Sequence, residues 1–238
     1  MNEIKVGNLK VGVFSQKRDI IDVMYQRLLA NLSTSAVAVN PEKVLSSLTN
    51  PDVFKVLEQF DIRYADGIGV VKVLQKKSGL KLNRIPGCEL WEALMKEAGV
   101  RRTSVFLVGG TPETVKETSE KLISEYATPV VGFQNGFFSD QELVINKIKE
   151  SKAKIVTVAL GSPKQELFIF DCKNAGINAI FMGVGGTYDV YTGKVKRAPE
   201  IFCKLGMEWF FRLCRQPSRV LRQVKLGKFV FLALTNKI

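Results

Sequence analysis

The chain has 238 residues, of which 46% are apolar and 24% charged, with 19 glycines and 8 prolines. At about 150 residues per domain this is one domain with an appendage or two small domains, and the composition excludes collagen-like and disordered chains. Lysine and arginine outnumber aspartate and glutamate by 35 to 23, a net charge of +12. There is no histidine, which removes His-assisted nucleophiles, His general bases and His metal sites together.

The amino-terminal run MNEIKVGNLKVGVFS lacks an apolar stretch of signal-peptide length. Nowhere does the chain approach the roughly 20 apolar residues of a spanning helix. The expectation is a cytoplasmic protein whose membrane contact is peripheral. Cys88, Cys172, Cys203 and Cys214 are scattered and fit no metal-binding spacing, so reduced structural thiols are expected and no metal site.

Short apolar runs then alternate with helical patterns. Ser35–Val39 reads as a strand and Pro41–Leu48 as a helix; Ile62–Ala65 is a strand and Val70–Lys77 a helix; Cys88–Ala98 is a strongly amphipathic helix. From there the rhythm is regular: strand Ser104–Val108 and helix Pro112–Tyr126, strand Pro129–Phe133 and helix Asp140–Lys152, strand Ile155–Leu160 and helix Lys164–Ala175, then strand Asn178–Val184. Apolar strands separated by amphipathic helices predict an α/β fold, with a Rossmann-like, largely parallel sheet and helices on both faces.

Ligands of such sheets bind outside the carboxyl ends of the strands. Three turns fall there: Gly109-Gly110-Thr111-Pro112-Glu113, Gly161-Ser162-Pro163-Lys164-Gln165-Glu166 and Gly185-Gly186-Thr187-Tyr188-Asp189. The first two open helices, where backbone N–H groups and the positive helix end suit a phosphate or diphosphate; glycine at a strand end is equally ordinary turn chemistry. Neither a G-x-G-x-x-G nor a P-loop is present, which disfavours dinucleotide dehydrogenases and NTPases.

Asp66 stands in Tyr64-Ala65-Asp66-Gly67, between a strand and a helix. Without histidine, a carboxylate at that edge is the natural general base for a hydroxyl; the competing role is a helix N-cap. Asp189 could read sugar hydroxyls or order its own loop. Glu166 could complement a helix dipole, and Gln165 could simply be solvated. No Asp-x-Asp pair occurs to hold a divalent ion on a diphosphate, so Lys164, Arg84, Lys196 and Arg197 are the candidate cations.

Residues 209–238 carry seven basic residues and no acidic one. Arg212, Arg215, Arg219 and Arg222 are spaced for one helical stripe, bent at Pro217-Ser218, with Trp209, Phe210, Phe211, Phe229 and Phe231 interleaved. A solvated basic face and nucleic-acid binding compete with the reading preferred here, peripheral attachment to an anionic membrane surface. No recognised nucleic-acid motif accompanies the charge. The division is a core over residues 1–196 and a basic helical appendage over 197–238.

Seven strings give the chain a resemblance to the WecG/TagA/CpsF glycosyltransferases from end to end: AVNPEKVL (38–45), YADGIGVV (64–71), RIPGCELWEALM (84–95), VFLVGGTPE (105–113), TVALGSPKQE (157–166), MGVGGTYDVYTGKVKRAP (182–199) and GMEWFFRLCRQPSR (206–219). GSPKQE and the VGGTYDV run look most like the branch that transfers N-acetyl-D-mannosaminuronic acid in making lipid II of enterobacterial common antigen. The resemblance implies an inverting, metal-independent enzyme without cofactor. It would move an N-acetylmannosamine-type sugar from UDP, in β-1,4 linkage, to undecaprenyl-diphosphate-linked N-acetylglucosamine.

By the same resemblance Asp66 matches the catalytic base, Gln165 a pocket glutamine, and Arg212, Arg219 and Arg222 arginines that meet the acceptor diphosphate, with Arg84 added to that group. The expected UDP-sugar set is Asn40, Gly109, Gly110, Gly161, Pro163, Lys164, Gln165, Glu166, Gly185, Gly186, Tyr188 and Asp189. A homo-oligomer is a possible assembly. One departure is Ala38, where the teichoic-acid branch has threonine; that threonine's role does not transfer. The alternatives are an enzyme using UDP-N-acetylmannosamine and a non-enzymatic basic nucleotide- or nucleic-acid-binding module.

Overall fold

The computed structural model describes residues 2–196 and 220–238, the second span with side chains from Leu226 onward. Its eight strands are β1 (Glu3–Val6), β2 (Leu9–Gly12), β3 (Thr34–Val39), β4 (Ile62–Ala65), β5 (Val105–Gly109), β6 (Val130–Gln134), β7 (Ile155–Ala159) and β8 (Ile180–Gly183). They form one sheet in the order β1-β2-β4-β3-β8-β7-β5-β6. Every pairing is parallel except the β1–β2 hairpin, which turns at Gly7 with φ +63°.

The described helices are α1 (Lys17–Leu29), α2 (Pro41–Thr49), α3 (Pro51–Glu58), α4 (Ile68–Ser78), α5 (Gly87–Val100), α6 (Pro112–Tyr126), α7 (Gln141–Ser151), α8 (Lys164–Asn174), α9 (Thr187–Tyr191) and α10 (Val220–Leu234). Each strand and helix expected over residues 35–184 forms within two residues of its expected bounds.

Five elements were not expected from the sequence. β1 and β2 are four-residue strands, β1 at the sheet edge and β2 between it and β4. The core stripe of α1, Ile20, Ile21, Met24 and Tyr25, is diluted by charged neighbours. α3 follows α2 across the single residue Asn50, whose Oδ1 accepts from the N–H groups of Asp52 and Val53 at 2.9 and 3.2 Å. α9 has only five residues. β6 also departs from the fully covered strand that its composition suggests. It is the sheet edge, and Val131 and Phe133 are about half exposed there.

Two apolar clusters sandwich the sheet. One is built under α2, α3, α4, α7, α8 and α10, around Val44, Leu74, Ile148, Phe168 and Phe229. The other lies under α1, α5, α6 and α9, around Met24, Trp91, Leu94, Leu122 and Tyr188. The adjacent strands β7 and β5 therefore send their chains to opposite faces, through α8 and α6, and the neighbours β3 and β8 do the same through α2 and α9. Such reversals open a crevice at the carboxyl edge.

The opposite, amino-terminal edge is locked by charge. Asp61 accepts from Arg27 and Lys173, each at 2.7 Å, and from Ser35 N–H at 2.8 Å. Burial alone would raise its carboxyl pKa; the Lys173 and Ser35 hydrogen bonds outweigh it, and the net shift is downward. Arg63, buried on β4, donates to the carbonyls of Lys10 and Phe60 at 2.6 Å and to Glu3 at 3.0 Å, tying the hairpin to the sheet.

The expected boundary near residue 197, most of the appendage, and Cys203 and Cys214 lie outside the described residues. What is described of the carboxyl-terminal segment packs on the core: Phe229 and Ile238 are buried in the same cluster as α2 and α4. No helix among the described residues is long and apolar enough to cross a membrane.

Candidate active site

Because β3, β4, β5, β7 and β8 run parallel, Asn40, Asp66, Gly110, Gly161 and Gly185 all follow their strands onto one edge. The fold thus gathers turns that are up to 145 residues apart in the chain.

Asp66 is not a helix cap. That position belongs to Gly67, and α4 has no side-chain cap. The Asp66 N–H donates to Val39 O at 3.1 Å, which hangs the turn on β3. Its carboxylate Oδ1 accepts from Arg84 Nη2 at 3.2 Å, while Arg84 Nε donates to the Asp66 carbonyl. Both side chains remain partly open to solvent, at 25% and 21%. Arg84, expected to meet the acceptor diphosphate, is thus placed against the expected base.

The first residue of α5, Gly87, also borders Asp66. A Cβ on Gly87 would lie 3.2 Å from the Tyr64 hydroxyl and 4.0 Å from Asp66 Oδ2. That hydroxyl is buried with no hydrogen-bond partner. Burial first, then the nearby Asp66 and Cys88, push the Tyr64 phenol well above its ordinary pKa.

Gln165 and Glu166 are neither solvated nor simple dipole partners. They are 4% and 1% exposed. Gln165 Nε2 donates to Glu166 Oε1 at 3.0 Å, and Gln165 Oε1 accepts from Gly185 N–H at 2.9 Å. Glu166 Oε1 also accepts from Lys43 Nζ at 2.8 Å. Lys43, in the first turn of α2, is the site residue that sequence reasoning missed. Its neighbour Asn40 marks the helix start, but nothing local announces a partner 123 residues away. Asn40 itself caps α2, accepting from Lys43 N–H at 2.9 Å.

The helix-end amides expected to cradle phosphate are largely engaged within the chain. At α6, Thr111 Oγ1 accepts from Thr114 N–H at 3.1 Å. At α8, the N–H groups of Gln165 and Glu166 reach Gly161 O and Pro163 O at 2.9 and 3.1 Å, around a cis Ser162–Pro163 peptide. Open space remains above Gly161 and Gly185, where an added Cβ would meet nothing within 4 Å. Beside Gly161, Ser162, Pro163 and Lys164 are exposed. Gly109, with φ +106°, is held against β7, where a Cβ would come 2.4 Å from Ala159 O. Gly110 and Gly186 line the same edge.

Tyr188 belongs to the core. Its hydroxyl lies 2.7 Å from Thr157 Oγ1 and donates to Thr157 O at 2.9 Å, and burial raises its phenol pKa. Asp189 accepts from Thr114 Oγ1 at 3.4 Å, joining the α9 loop to α6. Below this loop, between α5, α6 and α9, a cavity of about 300 Å³ is walled by Trp91, Tyr126 and Tyr191. The tyrosine hydroxyls donate to Glu92 and Glu125 at 2.8 and 2.9 Å, and Lys96 and Lys121 lie over the rings, so this chain's own side chains occupy those groups.

The exposed Lys196 ends the first described span. Arg197, Arg212, Arg215 and Arg219 lie outside the described residues. Arg222 stands on α10, and its side chain is likewise outside them. The helix itself is seated by Phe229, whose Cε1 would be 3.0 Å from a Cβ on Gly69, three residues after Asp66.

The largely parallel α/β sheet expected from the strand–helix alternation is present, with the glycine turns and Asp66 at its carboxyl edge. Residues 4–238 match the model of the Glycosyl transferase WecG/TagA/CpsF family, and the chain belongs to that glycosyltransferase family.

Proposed function

We propose that the protein is an inverting glycosyltransferase that moves N-acetyl-D-mannosaminuronic acid from UDP onto undecaprenyl-diphosphate-N-acetylglucosamine in β-1,4 linkage, forming lipid II of enterobacterial common antigen. The observation that carries the mechanism is the position of Asp66. Its carboxylate lies on the ligand edge, partly open, performs no capping and is oriented by Arg84, in a chain without histidine.

In this reading Asp66 takes the proton of the acceptor 4-hydroxyl as that oxygen bonds to the anomeric carbon. The bond from the anomeric carbon to the diphosphate oxygen breaks on the opposite face, and UDP departs with the electron pair. The space over Gly161 and Gly185 receives the diphosphate, and Lys164 stabilises its developing charge. No metal takes part.

Membrane attachment is peripheral and uses the carboxyl-terminal segment. It is supported by the seven basic residues of 209–238 and by the exposed Val230, Phe231 and Leu234 on α10. A basic residue near an anionic surface contributes about 1 kcal/mol.

The test is UDP release with a polyprenyl-diphosphate-N-acetylglucosamine acceptor, comparing UDP-N-acetylmannosaminuronic acid with UDP-N-acetylmannosamine, with and without EDTA. Turnover with the uronate, unaffected by EDTA, is expected. Turnover only with UDP-N-acetylmannosamine would move the protein to the other donor class. In the first assay Asp66→Asn should lower kcat by about 10²–10⁴-fold; near-wild-type turnover in the folded variant would remove Asp66 as the base.

A further inference from the structure

Lys43, Glu166, Gln165 and Gly185 form a continuous chain of contacts from α2 across α8 to the turn after β8. The Lys43–Glu166 pair has only 12% and 2% of its side chains exposed. Taking two charges out of water is costly, and a buried pair is weak evidence for stability. Its placement therefore invites a reason other than holding the fold together.

The reason lies in the Gln165 amide, which stands between Glu166 and the Gly185 N–H. A carboxamide has one donating and one accepting end, and only its surroundings decide which way it points. Glu166 presents an acceptor, so the Gln165 NH₂ turns to it at 3.0 Å, which leaves Gln165 Oε1 for the Gly185 N–H at 2.9 Å. Lys43 supplies the positive charge that supports the carboxylate in this buried position. The amide also lies on the face of β8: a Cβ on Gly183 would be 2.8 Å from Gln165 Nε2. Gly183 is thus the space into which the glutamine fits, and Gly185, with φ +52°, is the residue it holds.

We infer that Lys43 and Glu166 are positioning residues for the nucleotide-sugar diphosphate. Through the Gln165 amide they fix the Gly185-Gly186 turn that borders the diphosphate space, and neither touches the donor. The inference rests on the donor site proposed above. It assigns a role to Lys43, and it replaces direct donor contact by Glu166 with action through Gln165.

The full-length protein tests it by two measurements. The first is amide exchange of the Gly185 N–H without any ligand. The second is UDP affinity by calorimetry, with the donor KM and kcat beside it. Glu166→Gln removes the charge at nearly constant shape, and Gly183→Ala displaces the amide without altering any charge. Both should speed Gly185 exchange, weaken UDP binding about tenfold and raise the donor KM more than they lower kcat. Lys43→Met/Glu166→Gln should bind UDP within about twofold of Glu166→Gln alone, because the two residues act as one unit. Lys43→Met alone should be the least stable variant, since it strands a buried carboxylate.

Unchanged Gly185 exchange and UDP affinity in Glu166→Gln and Gly183→Ala, with only the melting temperature lowered, would overturn the inference and leave a purely structural pair. If the wild-type protein does not bind UDP, the donor-site reading fails and the positioning role toward that donor fails with it. Fast Gly185 exchange in the variants would then show that the relay to the turn exists without that ligand.

Discussion

Phe229 of α10 packs on Gly69, in the first turn of α4, three residues after Asp66. A Cβ at Gly69 would come within 3.0 Å of Phe229 Cε1 and 3.2 Å of Pro41 Cγ. Glycine therefore lets an aromatic side chain from the carboxyl-terminal helix rest directly on the backbone beside the candidate base. Farther along, Lys76 Nζ donates to Asn236 Oδ1 at 2.7 Å, so α10 runs alongside α4 in the same direction. The amino-terminal end of α10 accordingly faces the edge where Asp66 stands.

This contact predicts that Phe229→Ala releases α10. Full burial of a phenylalanine contributes roughly 1.5–3 kcal/mol, and Phe229 is the most deeply buried of the described α10 side chains. Hydrogen exchange over residues 226–238 should rise while the sheet keeps its protection. Activity on acceptor in vesicles should fall by more than the affinity for UDP. Equal protection of α10 in the variant and the wild type would show that other contacts hold the helix.

Arg84→Met should free the Asp66 carboxylate to rotate. It removes the guanidinium that meets both Asp66 Oδ1 and the Asp66 backbone carbonyl. The expected result is a kcat loss of about 10-fold to 100-fold, smaller than that of Asp66→Asn, because loss of positioning costs less than loss of the base. Lysine at this position should restore only part of the activity, since it cannot reproduce the planar fork of arginine. Full activity in Arg84→Met would remove the positioning role.

Asp61 predicts an acid limb of stability unrelated to activity. Its folded pKa lies below the ordinary 3.8. The sign follows from linkage: the contribution is fully present above the unfolded pKa and is lost as pH falls through the folded one. Asp61→Asn should therefore lower stability by about 1–3 kcal/mol at neutral pH. The difference from wild type should shrink below about pH 4. UDP affinity should not change, because Asp61 stands at the opposite end of the strands. Melting temperatures from pH 2 to 7 would check this, and a constant difference across that range would contradict it.

Thiol labelling should separate two cysteines. Burial pushes the Cys172 thiol up to about 12, so almost no thiolate exists at pH 8. Cys88, in the first turn of α5, is partly exposed. Alkylation of the native protein followed by peptide mapping should modify Cys88 well before Cys172. Denaturant should abolish the difference. Equal native rates would mean that α8 opens readily.

What could be read from the chain alone followed from local causes. Apolar runs such as SVFLV and IVTVAL, separated by amphipathic helices with Thr111-Pro112 or Asn40-Pro41 at their starts, determine strands, helices and a parallel α/β sheet. The glycine turns and Asp66 were visible because the carboxyl edge of such a sheet is where ligands bind. β1, β2 and α9 were not legible: each has only four or five residues, and unlike the equally short β4 and β8 none falls within the strand–helix alternation that runs through the middle of the chain. α1 was missed because charged residues interrupt its apolar stripe.

The tertiary structure decided which of those residues share an environment. That Asp66 stands one residue before the cap and meets Arg84, and that Glu166 is buried with Lys43 reaching it from α2, are set by packing. Hydrogen bonding and burial act between groups that chain folding brings within about 3 Å, while spacing along the sequence records only neighbours on one element. The sequence therefore determined the menu of chemical groups at the edge. The packing of α2, α8 and α10 determined which of them face the crevice and which support it from below.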